Sequence, residues 1–306
     1  MLFDTHAHYD DDQFDGDRET LLASLPEQGV GLVVNPGCTV ASSRTAVELA
    51  HRFPHVYAAV GIHPENCGDF RPEDLDAIRA LAREDKVVAI GEIGLDYYWP
   101  ENPPRPLQQQ VLRSQLALAR ELSLPVIIHD RDAHEDCVAV LEADGAPERT
   151  VFHCFSGGPR LAAACAEHGW YASVAGPVTY PSNEELRRAV ASLPAELLLV
   201  ETDAPYLPPK PWRGRPNASY LMDPAFSFDA SSGAFFGWDP MTGTYDKTSW
   251  GYQTDGFDTW NMRFDGEFSW VRGEGVPAWA VPSQPRCERN ITLQDPACAW
   301  VRLQEF

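Results

Sequence analysis

Lysine is scarce in this chain of 306 residues: only Lys86, Lys210 and Lys247 stand against 21 arginines. With 45 acidic side chains the formal net charge is −21, which excludes a surface that gathers nucleic acid by bulk electrostatics. Any phosphate bound here must be held by metal ions or by local guanidinium groups, which grip it bidentately. No apolar run reaches 18 residues, so no membrane-spanning helix is expected. Leu2 and Phe3 are too few to form the apolar stretch of a secretion signal. The seven cysteines contain no CxxC pair and no dense framework, which predicts reduced thiols in a cytoplasm and no thiolate metal set. No protein partner is evident.

What is present is a rhythm. Short apolar runs recur: Leu2-Phe3, "GLVVNPG" (31–37), "VYAAVGIHP" (56–64), "VVAIGEIGLD" (87–96), "LPVIIHD" (124–130), "TVFHCFSG" (150–157), "WYASVAG" (170–176) and "ELLLVETDAPYL" (196–207). The segments between them have helical spacing; in 105–123, Leu107, Val111, Leu112, Leu116, Ala119 and Leu122 fall on one stripe. Near-continuous apolar strands alternating with amphipathic helices predict parallel strands covered by helices. Eight such units predict an α/β protein with a (β/α)8 TIM-type barrel, and an open doubly wound sheet is the alternative.

The residues able to do chemistry follow these runs: His6, His8, His63, Glu92, His129, His153 and Asp203. Strand C-termini are where a barrel keeps its active site. His6 and His8, two apart beyond a strand, can point the same way. Glu92 follows five almost wholly apolar residues, and a buried carboxylate must be paired or bind a cation. Its two oxygens suit it to bridge two metal ions, as hydrolytic two-metal sites require. Some barrels bridge metals with a modified lysine instead, but no lysine here ends a strand. His129 and His153, each explicable alone as a core histidine, add to an imidazole–carboxylate set suited to Zn, Mn or Mg. Asp203 is expected to touch one metal and to act as general base toward a water whose pKa the cation lowers. Glu92 and Asp203 are thus the expected catalytic residues. Arg131 and His63 are the expected substrate contacts, and Asp96 is expected to steady a ligand histidine. Cys154 is expected on the far side of its strand, as a small buried hydrophobe.

The stretches "DTHAH" (4–8), "GIHPE" (61–65), "GEIGLDYY" (91–98), "IHDRDA" (128–133), "FHCFSG" (152–157) and "ETDAPYL" (201–207) together resemble the TatD family of metal-dependent deoxyribonucleases, within the amidohydrolase-like barrels. The resemblance covers residues 1 to about 217. It implies one ion at His6, His8, Glu92 and Asp203, a second at Glu92, His129 and His153, and hydrolysis of phosphodiester bonds in DNA, often from the 3′ end. An ester or amide hydrolase acting on a small molecule or aminoacyl-tRNA, or a non-catalytic remnant with a binding tail, are the competing expectations.

From about 218 to 306 the character changes: neither helix stripe nor strand–helix rhythm is visible, and six of the nine tryptophans lie there. This atypical, aromatic-rich tail of irregular loops and short hairpins is what a gene fusion or a frameshift would produce. It replaces the helix that should cover the last strand. A barrel lacking that helix leaves an apolar patch of several hundred Å² over strands 1 and 8.

Overall fold

The computed structural model describes residues 2–222 and six short strands between 227 and 272. In the first span every apolar run becomes a strand: β1 (Leu2–Asp4), β2 (Val30–Pro36), β3 (Val56–Val60), β4 (Val87–Asp96), β5 (Val126–Arg131), β6 (Thr150–Phe152), β7 (Tyr171–Val174) and β8 (Leu198–Val200). Between them run α1 (Arg18–Ser24), α2 (Val40–Arg52), α3 (Pro72–Leu81), α4 (Arg105–Leu122), α5 (His134–Asp144), α6 (Pro159–His168) and α7 (Glu184–Ala191). The strands pair in chain order and in parallel. The inner layer is apolar and includes Phe3, Val34, Ala89, Ile127, Val151 and Leu199. The outer faces meet the helices in one larger core.

Helix α4 shows how the pattern works. Val111, Leu112, Leu116 and Ala119 are buried while the flanking Leu107 and Leu122 are partly so. The helix ends where Ser123 takes a left-handed conformation, φ 56°. On the same face Gln108 and Gln115, two turns apart, clasp backbone groups at the site end of the barrel. Gln108 accepts from the Asp96 N–H at 2.8 Å and donates to its carbonyl at 2.9 Å, and Gln115 treats Ile62 likewise at 2.8 and 3.0 Å.

An open sheet is ruled out at the seam between β8 and β1. Thr5 N–H donates to Val200 at 3.3 Å, Asp203 N–H to the His6 carbonyl at 2.9 Å and His8 N–H to the Ala204 carbonyl at 2.6 Å, and Ala7 bridges Ala204 in parallel. This seam is short, and buried Asp4 reinforces it by accepting from the Thr202 N–H at 2.9 Å, the Thr202 hydroxyl and the His6 N–H at 3.3 Å. Burial pushes the Asp4 carboxyl up to about 6 in spite of these bonds. Asp4→Ala leaves three donors without their acceptor and is expected to cost about 2 kcal/mol. Urea unfolding and amide exchange at Thr202 measure it; unchanged stability would remove Asp4 from the closure.

Among the described residues no α-helix follows β8, only short turns at Lys210–Trp212 and Ser219–Met222. Leu198 and Val200, which flank inward-facing Leu199, are half-buried. Residues at and just past the expected end of the barrel nevertheless pack on it. Asn217 donates to the Thr202 and Tyr206 carbonyls at 2.7 and 2.8 Å, Ser219 bonds the buried Tyr9 hydroxyl at 2.8 Å, and Ala218 and Met222 are buried. The later strands are β9 (Ser227–Asp229), β10 (Ala234–Phe236), β11 (Trp238–Asp239), β12 (Thr244–Tyr245), β13 (Trp260–Phe264) and β14 (Phe268–Arg272). They pair antiparallel, in the order β10-β9-β13-β14 and as β11 with β12, without the barrel's rhythm.

Candidate metal centre

Glu92 is brought to the mouth by an irregularity in β4. Ile90 pairs with Val126 but Ile93 with Ile128, so β4 carries an extra residue against β5, a device that re-aims a side chain. Two residues later the chains lie so close that a Cβ on Gly94, at φ 150°, would sit 1.9 Å from the His129 carbonyl oxygen. Only glycine fits there, and its fit holds the Glu92 and His129 strands together.

The Glu92 carboxylate is 2% exposed and stands at the centre of five imidazoles. Its Oε2 lies 3.2 Å from His6 Nε2 and 3.4 Å from His8 Nε2. Its Oε1 lies 2.8 Å from His129 Nδ1, 2.7 Å from His153 Nε2 and 3.4 Å from His63 Nε2. Asp203 Oδ1 joins the first set, 3.7 Å from His6 Nε2 and 3.6 Å from His8 Nε2. Within each set the nitrogens crowd together: His6 and His8 Nε2 are 3.1 Å apart, and His129 Nδ1 and His153 Nε2 3.2 Å apart. All six residues expected as metal ligands therefore meet at one place.

Electrostatics follow from the burial. Desolvation alone would raise Glu92, but His153, His63 and His6 hold it well below the usual carboxylate range. Burial lowers His6 and His63 to about 4, so both rings are neutral at pH 7, the form in which imidazole binds a cation. Burial pushes Asp203 up to about 7. The other three rings are raised against the pull of burial, His8 by Cys38 and Glu92, His129 by Asp96 and Glu92, and His153 by Glu92 and Glu201. Imidazoles and carboxylates with no lysine or arginine among them form a donor set of the kind that fits divalent cations, whose binding displaces such protons.

Two more carboxylates orient the rings. His129 Nε2 is 3.0 Å from Asp96 Oδ2, the partnership expected of Asp96, which leaves Nδ1 facing Glu92. The corresponding partner of His153 is Glu201, buried, 3.3 Å from Nδ1 and accepting from the Cys154 N–H at 2.7 Å. Sequence reasoning missed Glu201, although it ends an apolar run in "LLLVETD" as Glu92 does. It also missed Cys38, whose thiol lies within 4.8 Å of ligand atoms of His8 and Glu92. The cysteines gave no spacing signal because this donor arrives alone from the β2 loop.

Three expectations need restating. His63 faces Glu92 Oε1 as one of the five imidazoles, with Nδ1 accepting from the Glu65 N–H at 3.2 Å, so its Nε2 carries the proton. Arg131 stands outside the cluster, exposed at the end of β5, its guanidinium 4.0 Å from the Tyr98 ring centre and 5.5 Å from that of Trp99. Cys154 is not a buried hydrophobe on the far side of a strand. β6 ends at Phe152, and Cys154 is half-buried in the following loop at φ 41°, where burial and the nearby Asp203, Glu201 and Glu92 carboxylates raise its thiol well above the ordinary value.

The chain matches the family model of TatD-related DNases over residues 3–227. It is 41% identical over 218 residues to the uncharacterized metal-dependent hydrolase YabD of Bacillus subtilis, covering 71% of this chain and 85% of that protein. It is 36% identical over 228 residues to the 3′-5′ ssDNA/RNA exonuclease TatD of Salmonella typhimurium, covering 74% and 86%. The crystal structure of YJJV, a TatD homologue from Escherichia coli, superposes with a TM-score of 0.68 at 35% identity, covering 72% of this chain and 85% of that one. On sequence, fold and family match together, the chain belongs to the TatD-related DNase family of metal-dependent hydrolases.

Proposed function

We propose that this protein is a cytoplasmic exonuclease that hydrolyses phosphodiester bonds of DNA from the 3′ end, using two divalent cations. The observation that carries this reading is the division of Glu92, with Oε2 toward His6 and His8 and Oε1 toward His129 and His153. A carboxylate between two groups of nitrogens suits the role of a bridging ligand. His6, His8 and Asp203 would complete the holding of one ion, and His129 and His153 that of the other. Ions of this kind, Mg, Mn or Zn, stabilise charge on a phosphoryl oxygen and lower the pKa of water. DNA as the polymer is supported by the family match, and the 3′ direction by the name of the Salmonella relative. Every residue given a role here lies in the barrel to about residue 217.

The chain's own residues do the remaining work. Asp203, at the accessible rim of the cluster, accepts the proton of the attacking water. The Nε2–H of neutral His63 and the Arg131 guanidinium hold phosphate oxygens, replacing the attraction that a net charge of −21 cannot supply. Asp96 and Glu201 keep His129 and His153 turned toward Glu92. Glu201→Gln is expected to weaken metal binding by about 10- to 100-fold, the usual effect of losing such a partner. A metal titration followed by calorimetry reads it, and parental affinity would show that Glu201 only supports the loop.

The activity is tested with end-labelled single-stranded DNA, with and without added Mg, Mn or Zn and with chelator. Shortening from the 3′ end that needs the metal is the expected result. Cleavage that survives chelation, or starts inside the strand, contradicts it.

A further inference from the structure

Among the described residues three large hydrophobic side chains are exposed: Tyr98 at 48%, Trp99 at 43% and Tyr206 at 46%. Single exposed aromatics are ordinary on a protein surface. These three are not scattered, because all belong to loops at the C-terminal end of the barrel and flank the Glu92 cluster from opposite sides. Tyr98 is anchored to the site itself: its N–H donates at 3.0 Å to Oδ1 of Asp96, whose Oδ2 is 3.0 Å from His129. Trp99 packs edge-on to Tyr98, with ring centres 4.7 Å apart. Across the mouth, the Tyr206 ring is 6.3 Å from His8 and its hydroxyl bonds Asp11.

A second feature sets the kind of ligand. The Arg131 guanidinium lies 4.0 Å from the Tyr98 ring centre, so one face of the platform already carries a flat cation next to a phosphodiester site. A protein of charge −21 cannot hold a polyanion by its overall field, and its grip must come from contacts that do not depend on net charge. Stacking of bases on aromatic rings is such a contact, and it demands unpaired bases, because a base in a duplex has no open face.

Building on the phosphodiesterase reading above, we infer that Tyr98, Trp99 and Arg131 on one side of the mouth and Tyr206 on the other form a stacking clamp for unpaired nucleobases. The clamp reads no sequence and places the strand so that its terminal phosphodiester meets Glu92.

The test compares a 12-residue oligothymidylate with an abasic strand of equal length and charge, each labelled with fluorescein. Dissociation constants are measured by fluorescence anisotropy in chelator, so that nothing is cleaved. Stacking on aromatic platforms contributes about 1–3 kcal/mol per base, which is about 5- to 150-fold in affinity. The parental protein should therefore bind the thymidylate at least about fivefold more tightly than the abasic strand. In Tyr98→Ala/Trp99→Ala/Tyr206→Ala that preference should collapse to near unity, and Tyr98→Phe/Trp99→Phe/Tyr206→Phe should restore it. All the altered side chains are exposed, and circular dichroism melts verify that each variant is folded. Equal affinity of the parental protein for both strands, or a preference that survives the triple alanine variant, overturns the clamp. The outcome is separable from the catalytic reading: retained base preference with no metal-dependent cleavage supports the clamp and sinks the exonuclease.

Discussion

Glu92→Gln is expected to lower kcat/KM on single-stranded DNA by at least about 10³-fold and to leave the protein with fewer than two bound ions. The glutamine has the shape of the glutamate, so the buried site can still fold around it. It differs in charge and in replacing one acceptor oxygen by an amide donor. That single change removes the bridge from one set of imidazoles, whichever way the amide is turned, because the two oxygens face different sets. Metal stabilisation of transition-state charge is worth several kcal/mol, and about 4 kcal/mol corresponds to about 10³-fold in rate. Steady-state hydrolysis and elemental analysis of the dialysed variant decide it. Turnover within tenfold of the parent with two ions retained would show that Glu92 is not the bridge.

Asp203→Asn is expected to cost about 10²- to 10⁴-fold in kcat, the range for losing a positioned general base. The pH profile separates this from a loss of metal. Burial raises the Asp203 carboxyl to about 7 in the metal-free protein, so below that pH it carries a proton and can neither bind a cation nor accept a proton from water. Metal affinity of the parent should accordingly fall as pH drops through about 7. Bound cations pull the titration to lower pH, where log kcat should decline on the acid side. In Asp203→Asn that acid limb should be absent and the residual rate flat. A variant that keeps the parental acid limb would assign it to another group.

The barrel and the six donors are legible in the sequence for one physical reason. Parallel strands buried on both faces read as apolar runs, and a polar residue that ends such a run is conspicuous. Glu92 and His129 carry this mark directly, and His6 and Asp203 follow the end of their runs within three residues. Barrel closure carries none, since an open sheet would show the same runs; it depends on Ala7 meeting Ala204 across the length of the domain. The supporting layer is illegible for a related reason. Gln108 and Gln115 sit on a helix stripe that reads as core, and their backbone partners at Asp96 and Ile62 are fixed only by the packing of α4 on β4 and on the turn that follows β3. Glu201 ends its apolar run as plainly as Glu92 does, but nothing local assigns it to His153, because that pairing spans two strands. Tyr98 and Trp99 are plain in "GLDYYW", but nothing local tells whether they point into the core or out beside Arg131.

Crystals soaked in manganese and measured at the manganese absorption edge test the two-ion site most directly. Two anomalous peaks about 3.5–4 Å apart, one on each side of the Glu92 carboxylate, are the expected result. A single peak, or peaks that Glu92 does not touch, would contradict the bridging site.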